Sequence, residues 1–235
     1  MGKRLIQQAR GHGSFSYRVR RRAFNVLPKY ILEMQKGDEF EVVKLISSGG
    51  HSAPVAKLRN HKTGKIYFNL AANGLYEGLK TTIGGMTSGD VSMVGDLENG
   101  TKIFNLENNP NDGGKLVRSG GNCAIVIGRR ETKVIIRLPS KKEKLFNAKC
   151  RATVGETAGQ GRLDKPILKA GKKHHIMKTK SKLWPRTSAI KMNAVDHPFG
   201  SGRGKRIKSK IAQRNSPPGQ KVGLIRPRRT GRTKK

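Results

Sequence analysis

The chain has 235 residues, with 50 Lys and Arg against 15 Asp and Glu, a formal net charge of +35. A free globule of that charge repels itself, so a polyanionic partner is expected. Hydrophobic residues at 34% and aromatics at 5% support small cores and exclude a large one. The longest apolar run, CAIVI at 123–127, is far too short to span a membrane. MGKRLIQQARGHG at the start is basic but has no apolar core, so it does not read as a signal peptide. Cys123 and Cys150 stand apart without a CxxC, a reduced intracellular pattern that argues against a zinc site.

The charge is uneven. Residues 1–24 hold 7 basic residues and no acids, and residues 161–235 hold 23 basic residues and 2 acids. Between them lies a body of modest charge, so two cationic extensions flank it, as in nucleic-acid-binding arms. The first extension, 1–35, carries RVRRR at 18–22, and Phe15, Tyr17 and Phe24 interleave with Arg18, Arg20, Arg21 and Arg22. Those aromatics either stack on bases or pin the arm to the body.

From residue 36 the pattern is strand-like. FEVVKLI (40–46), PVAKLRN (54–60) and KIYFNL (65–70) are short β-rich runs. The last two, joined through HKTG, predict a hairpin with Gly64 in its turn. This series is read as a barrel of OB type over 36–83. A second series, VSMV, TKIFNL, KLVR, CAIVIG, KVIIRL and KLFNA, recurs between 91 and 148 at roughly ten-residue spacing, with turn chemistry between its members. It predicts a small closed barrel over 84–160. No segment shows sustained helical periodicity. The fold class is therefore all-β, two small barrels with long basic irregular extensions. After Thr157 the strand signal stops, and 161–235 is expected to gain order from a partner rather than from a core.

Several stretches ask for chemistry. MNAVDHPFGSGRGKR (192–206) sets Asp196 beside His197, but adjacent side chains in extended chain point opposite ways, and Ser188 and Ser201 lack any GxSxG context. A loop packed against RNA suits Pro198 and the glycines better. The alternation GSGRGKR has no preceding strand and no GK[ST], so it is no nucleotide-binding P-loop. It aims Arg203, Lys205 and Arg206 at phosphates, with a flexible tail as the rival reading. His174 and His175 lack further donors for a metal and read as RNA-facing. Trp184 either caps the second barrel's core or stacks on a base.

CRATVGE (150–156), GRLDKPILKAGK (161–172), LWPRTSAIKMNAVDHPFG (183–200) and SPPGQKVGLIRPRRTG (216–231) closely resemble the ribosomal protein L-two family. GKRLIQQARGHGS and the spelling AVDHPFG resemble its archaeal branch, and the likeness runs from residue 2 to 231. It implies an OB barrel followed by an SH3-like barrel, a structural and not enzymatic role in the large ribosomal subunit, and primary binding of large-subunit rRNA. It further implies support of subunit association, tRNA binding and the peptidyl-transferase centre. The partners implied are large-subunit rRNA, neighbouring ribosomal proteins and small-subunit rRNA at an intersubunit bridge, in the cytoplasm and without a membrane. No cofactor is implied; Mg2+ would come with the rRNA.

Carried onto this chain, the expected RNA contacts are Arg18, Arg20, Arg21, Arg22, Arg151, Lys169, Lys172, Lys173, Trp184, Arg186, Lys191, Asn193, His197, Gly200, Gly202, Arg203, Lys205, Arg206, Arg228 and Arg229. The family's triple glycine is interrupted here by Ser201, which would be strained at positive φ. Two rivals stand beside this reading. One is a direct contribution of His197 to peptidyl transfer; the other, weaker, is a chromatin-type DNA binder.

Overall fold

The computed structural model describes residues 2–201 and 211–229. It divides into two units, Arg20–Lys172 and Met1–Val19 with Lys173–Lys235. The first holds nearly all the strands. In its first sheet, β1 (Glu39–Ile46), β2 (Val55–Asn60), β3 (Ile66–Leu70) and β4 (Lys80–Thr82) run antiparallel in the order β3-β2-β1-β4. The predicted hairpin is β2–β3. Asn60 Oδ1 accepts the N–H groups of Lys62 and Thr63 at 2.7 and 3.0 Å, and Gly64 takes φ +66 to close the turn. Phe40, Val42, Ala56, Leu58 and Tyr67 form the core of this sheet, with the Phe40 and Tyr67 rings edge to face at 4.6 Å.

The second sheet contains β5 (Val91–Met93), β6 (Lys102–Phe104), β7 (Ala124–Arg130), β8 (Lys133–Arg137), β9 (Glu143–Asn147) and β10 (Arg151–Val154), in the order β5-β10-β6-β7-β8-β9. Val126, Val134, Ile136, Phe146 and Ala152 fill its interior. The class is all-β and barrel-type, but neither sheet closes into a complete ring among the described residues. Between β9 and β5 the gap is bridged by single bonds instead of a ladder: Val94 N–H donates to Cys150 O at 2.8 Å and Gly95 N–H to Ala148 O at 2.9 Å.

Two runs differ from expectation. KLVR (115–118) is no strand, because Asn105 and Val117 sit at φ +48 and +52 and turn the chain away from a ladder, leaving one bridge between Leu106 and Leu116. RATV (151–154), left out of the predicted series, is a strand one place in from the β5 edge of the sheet, paired on both sides and buried along its whole length. A strand buried on both faces shows no alternation, and four residues are too few to stand out.

Residues 20–35, assigned by composition to an arm, contribute Ala23 and Tyr30 to the interior, at 3% and 2% exposure. Tyr30 reaches a buried polar network. Its hydroxyl is 2.6 Å from Thr153 Oγ1, which also accepts from Asn69 Nδ2, and Asn69 Oδ1 accepts from Asn105 Nδ2. Burial pushes the Tyr30 phenol well above its ordinary pKa.

Arg151, expected at the RNA, is corrected by the same network. Its side chain is 8% exposed and bonds Glu107 Oε1 through Nη2 at 2.9 Å, with Nη1 donating to Ile31 O at 2.8 Å. A guanidinium this fully desolvated needs its carboxylate, and here it has it.

Residues 161–235 were expected to be largely irregular, and the second unit departs from that. It contains a ten-residue helix, α1 (Ala170–Thr179), shared at its start with the first unit, and a short parallel pair, β11 (Ile211–Ala212) and β12 (Leu224–Ile225). Ala, Lys and Met favour a helix, no proline interrupts AGKKHHIMKT, and Lys178 in the last turn complements the helix dipole. With only Ile176 and Met177 as large apolar residues, periodicity had nothing to register.

Candidate nucleic-acid interface

The stretch around Asp196 and His197 is a compact turn. Asn193 O accepts the N–H groups of Asp196 and His197 at 3.0 and 3.2 Å, and Gly200 N–H returns to His197 O at 2.8 Å. His197 is 8% exposed, its ring 5.1 Å from that of Phe199. Phe199 N–H donates to its Nδ1 at 3.0 Å, so the neutral ring carries its proton on Nε2. Asp196 points to Lys3 Nζ at 3.5 Å, and Lys3 N–H donates to Val195 O at 2.7 Å. Among the described residues the acid and the imidazole therefore have separate partners.

Gly200 is required by the chain itself. A Cβ there would lie 2.3 Å from Asn193 O and 2.5 Å from Met192 O, so only glycine lets the turn close. Ser201 follows at φ +155, a region that L side chains rarely occupy and the one in which the departure from triple glycine matters. Gly202, Arg203, Lys205 and Arg206 lie outside the described residues.

The turn opens on a cavity of about 780 Å³, lined by Lys3, Arg4, Gln8, His197, Pro198 and Gln213 among others. Nothing in the sequence marked residues 2–8 as its neighbours. Leu5 anchors that segment at 6% exposure, and its N–H bonds Gln8 Oε1 at 3.0 Å. The separation of residue 3 from residue 196 along the chain leaves no local signal.

The remaining candidates fall on exposed positions. Arg18, Arg20, Arg22, Lys169, Lys172, Arg186, Lys191, Asn193, Arg228 and Arg229 are exposed, Lys173 is half-buried, and none of these cations has an ion-pair partner among the described residues. Arg21 opens a 3-10 turn, Arg21–Ala23.

Of the interleaved aromatics, Phe24 packs edge-on against His51 at 4.9 Å and pins its segment to the body, whereas Phe15 is 93% exposed. Trp184 is half-buried, 6.5 Å from His174 of α1, whose ring is 5.8 Å from that of His175. Burial raises the thiol pKa of both Cys123 and Cys150, which makes them poor nucleophiles. No described helix is long and apolar enough to cross a membrane.

These positions offer exposed cations without ion-pair partners among the described residues, and few acids. The family model Ribosomal Proteins L2, C-terminal domain, matches residues 87–219. Large ribosomal subunit protein uL2 of Archaeoglobus fulgidus is 40% identical over 235 residues, covering 98% of this chain and 99% of that protein. The protein of the same name from Methanococcus vannielii is 42% identical over 240 residues, covering 99% and 100%. At that identity over essentially the full length, the chain belongs to the uL2 family of large ribosomal subunit proteins.

Proposed function

We propose that this protein is a structural component of the large ribosomal subunit that binds large-subunit rRNA and is not itself an enzyme. The observation that carries the reading is the set of exposed basic side chains without ion-pair partners among the described residues, from Arg18 to Arg229, in a chain of net charge +35. Such side chains neutralise phosphates, release counterions and let RNA helices pack closely. In this reading an OB-type barrel spans 36–83 and an SH3-like barrel 84–160, while the extensions 1–35 and 161–235 thread the rRNA. The turn at 193–200, with Arg203, Lys205 and Arg206 beyond it, supports tRNA binding, subunit association and the peptidyl-transferase centre. Neighbouring ribosomal proteins and small-subunit rRNA are the further partners, in the cytoplasm. Mg2+ enters with the RNA, not with the protein.

The test is binding of the full chain to transcribed large-subunit rRNA and to duplex DNA across one KCl series. The expected result is tighter binding to rRNA at every salt concentration, with log K falling linearly in log [KCl]. Equal affinity for both nucleic acids would return the DNA-binding alternative.

A further inference from the structure

Strands β7, β8 and β9 send Val126, Val134, Ile136 and Phe146 into the core. Their register places three rows on the opposite face. Gly128, Ile135 and Leu145 form the middle row, with Arg130, Lys133 and Asn147 on one side and Ile125, Arg137 and Glu143 on the other. Leu145 is 46% exposed, Ile125 and Ile135 are half-buried, and all three cations are exposed. Arg137 meets Glu143 at 3.3 Å, whereas Arg130 and Lys133 have no ion-pair partner among the described residues.

Gly128 is out of place in this strand. Glycine in a strand interior weakens it, and marks a bulge, a bend or the close approach of another backbone. A register shift does fall between Val126 and Gly128. Yet Gly128 is not among the positive-φ glycines, and a Cβ built on it would meet nothing within 4 Å. The bulge breaks the ladder here, and with nothing within 4 Å of a built Cβ the space above Gly128 is open to a partner's approach from outside.

We propose that this outward face of β7, β8 and β9 is a docking platform for a double-helical segment of rRNA. Gly128, Ile135 and Leu145 meet the riboses of the shallow minor groove, and Arg130 and Lys133 bind the flanking phosphates. Successive rows are about 7 Å apart along a strand and successive strands about 4.8 Å apart, giving a surface about 14 by 10 Å. A-form RNA presents a wide, shallow minor groove lined with 2′-hydroxyls, which a platform of this size can meet. The face carries Arg130, Lys133 and Arg137 against the single acid Glu143, which favours a polyanion. An apolar centre of two side chains and a glycine is too narrow for a protein interface of standard size.

This inference rests on the rRNA-binding reading, and the experiment separates the two. Full-length wild type, Gly128→Val and Arg130→Gln/Lys133→Gln are titrated against transcribed large-subunit rRNA over a KCl series, alongside thermal unfolding and incorporation into particles. Gly128→Val adds bulk without charge into open space and keeps the wild-type unfolding midpoint. It is expected to weaken binding about tenfold or more with an unchanged salt slope, because the phosphates stay neutralised while approach to the groove floor is blocked. The double variant is expected to flatten the slope by about 1.4–1.8, or 0.7–0.9 for each phosphate that is no longer neutralised. If Gly128→Val unfolds, the double variant decides alone. Wild-type affinity and slope in the variants overturn the platform and leave the rRNA-binding reading standing; failure of the wild type to bind overturns that reading itself. Impaired incorporation with unchanged rRNA binding points to a protein partner and also overturns the proposal.

Discussion

Replacing Glu107 by Ala tests the buried network that joins residues 30–31 to the second sheet. The carboxylate is fully buried and accepts from Arg151 Nη2 at 2.9 Å and from Nε at 3.3 Å. It also takes the backbone N–H groups of Gly113 at 2.9 Å and Arg151 at 2.8 Å. Truncation leaves an 8% exposed guanidinium with Ile31 O as its one remaining hydrogen-bond acceptor among the described residues, beside unsatisfied backbone donors. Breaking a buried pair from one side costs about 3–5 kcal/mol. For a unit of this size 1 kcal/mol moves the unfolding midpoint by about 2–4 °C, so a drop of about 6–20 °C is expected. Calorimetry or circular dichroism on the full chain at fixed salt measures it. The double variant Glu107→Leu/Arg151→Met removes both charges and should recover most of the loss. A single-variant shift below about 2 °C would mean that solvent or rearrangement satisfies Arg151, and the argument for a buried network would fail.

Two neighbouring substitutions should act in opposite directions. Gly200→Ala drives a methyl into Asn193 O and Met192 O and is expected to cost about 1–3 kcal/mol locally, read as faster amide exchange at Asp196, His197 and Gly200. Ser201→Gly relieves φ +155 and should slow exchange at the same amides, by an equilibrium gain of about 1 kcal/mol or more. For His197→Gln, whose side chain can still accept the Phe199 N–H, the expected outcome is normal particle assembly and single-turnover peptide-bond formation within about tenfold of wild type. A general base would contribute about 10²–10⁴-fold, so a hundredfold loss with one ionisation missing from the pH profile would establish the catalytic alternative.

The excess of positive charge, the β character and the β2–β3 hairpin were legible from residues alone, because net charge, two-residue alternation and a glycine turn are local properties of the chain. The role of Arg151 was not. Its charge reads the same as that of Arg18 or Arg229, and only the arrival of Glu107 and the Ile31 carbonyl turns it from a surface cation into an interior one. Tyr30 likewise follows a basic arm in sequence yet lies in the core, because Thr153 meets its hydroxyl from 123 residues away. Gly200 was recognised as a position of close approach, but the atoms it approaches include the chain's own Asn193 carbonyl. Composition and spacing determine which groups are available. Which of them are desolvated, and against what, depends on contacts between residues distant in the chain, and those are properties of the tertiary structure.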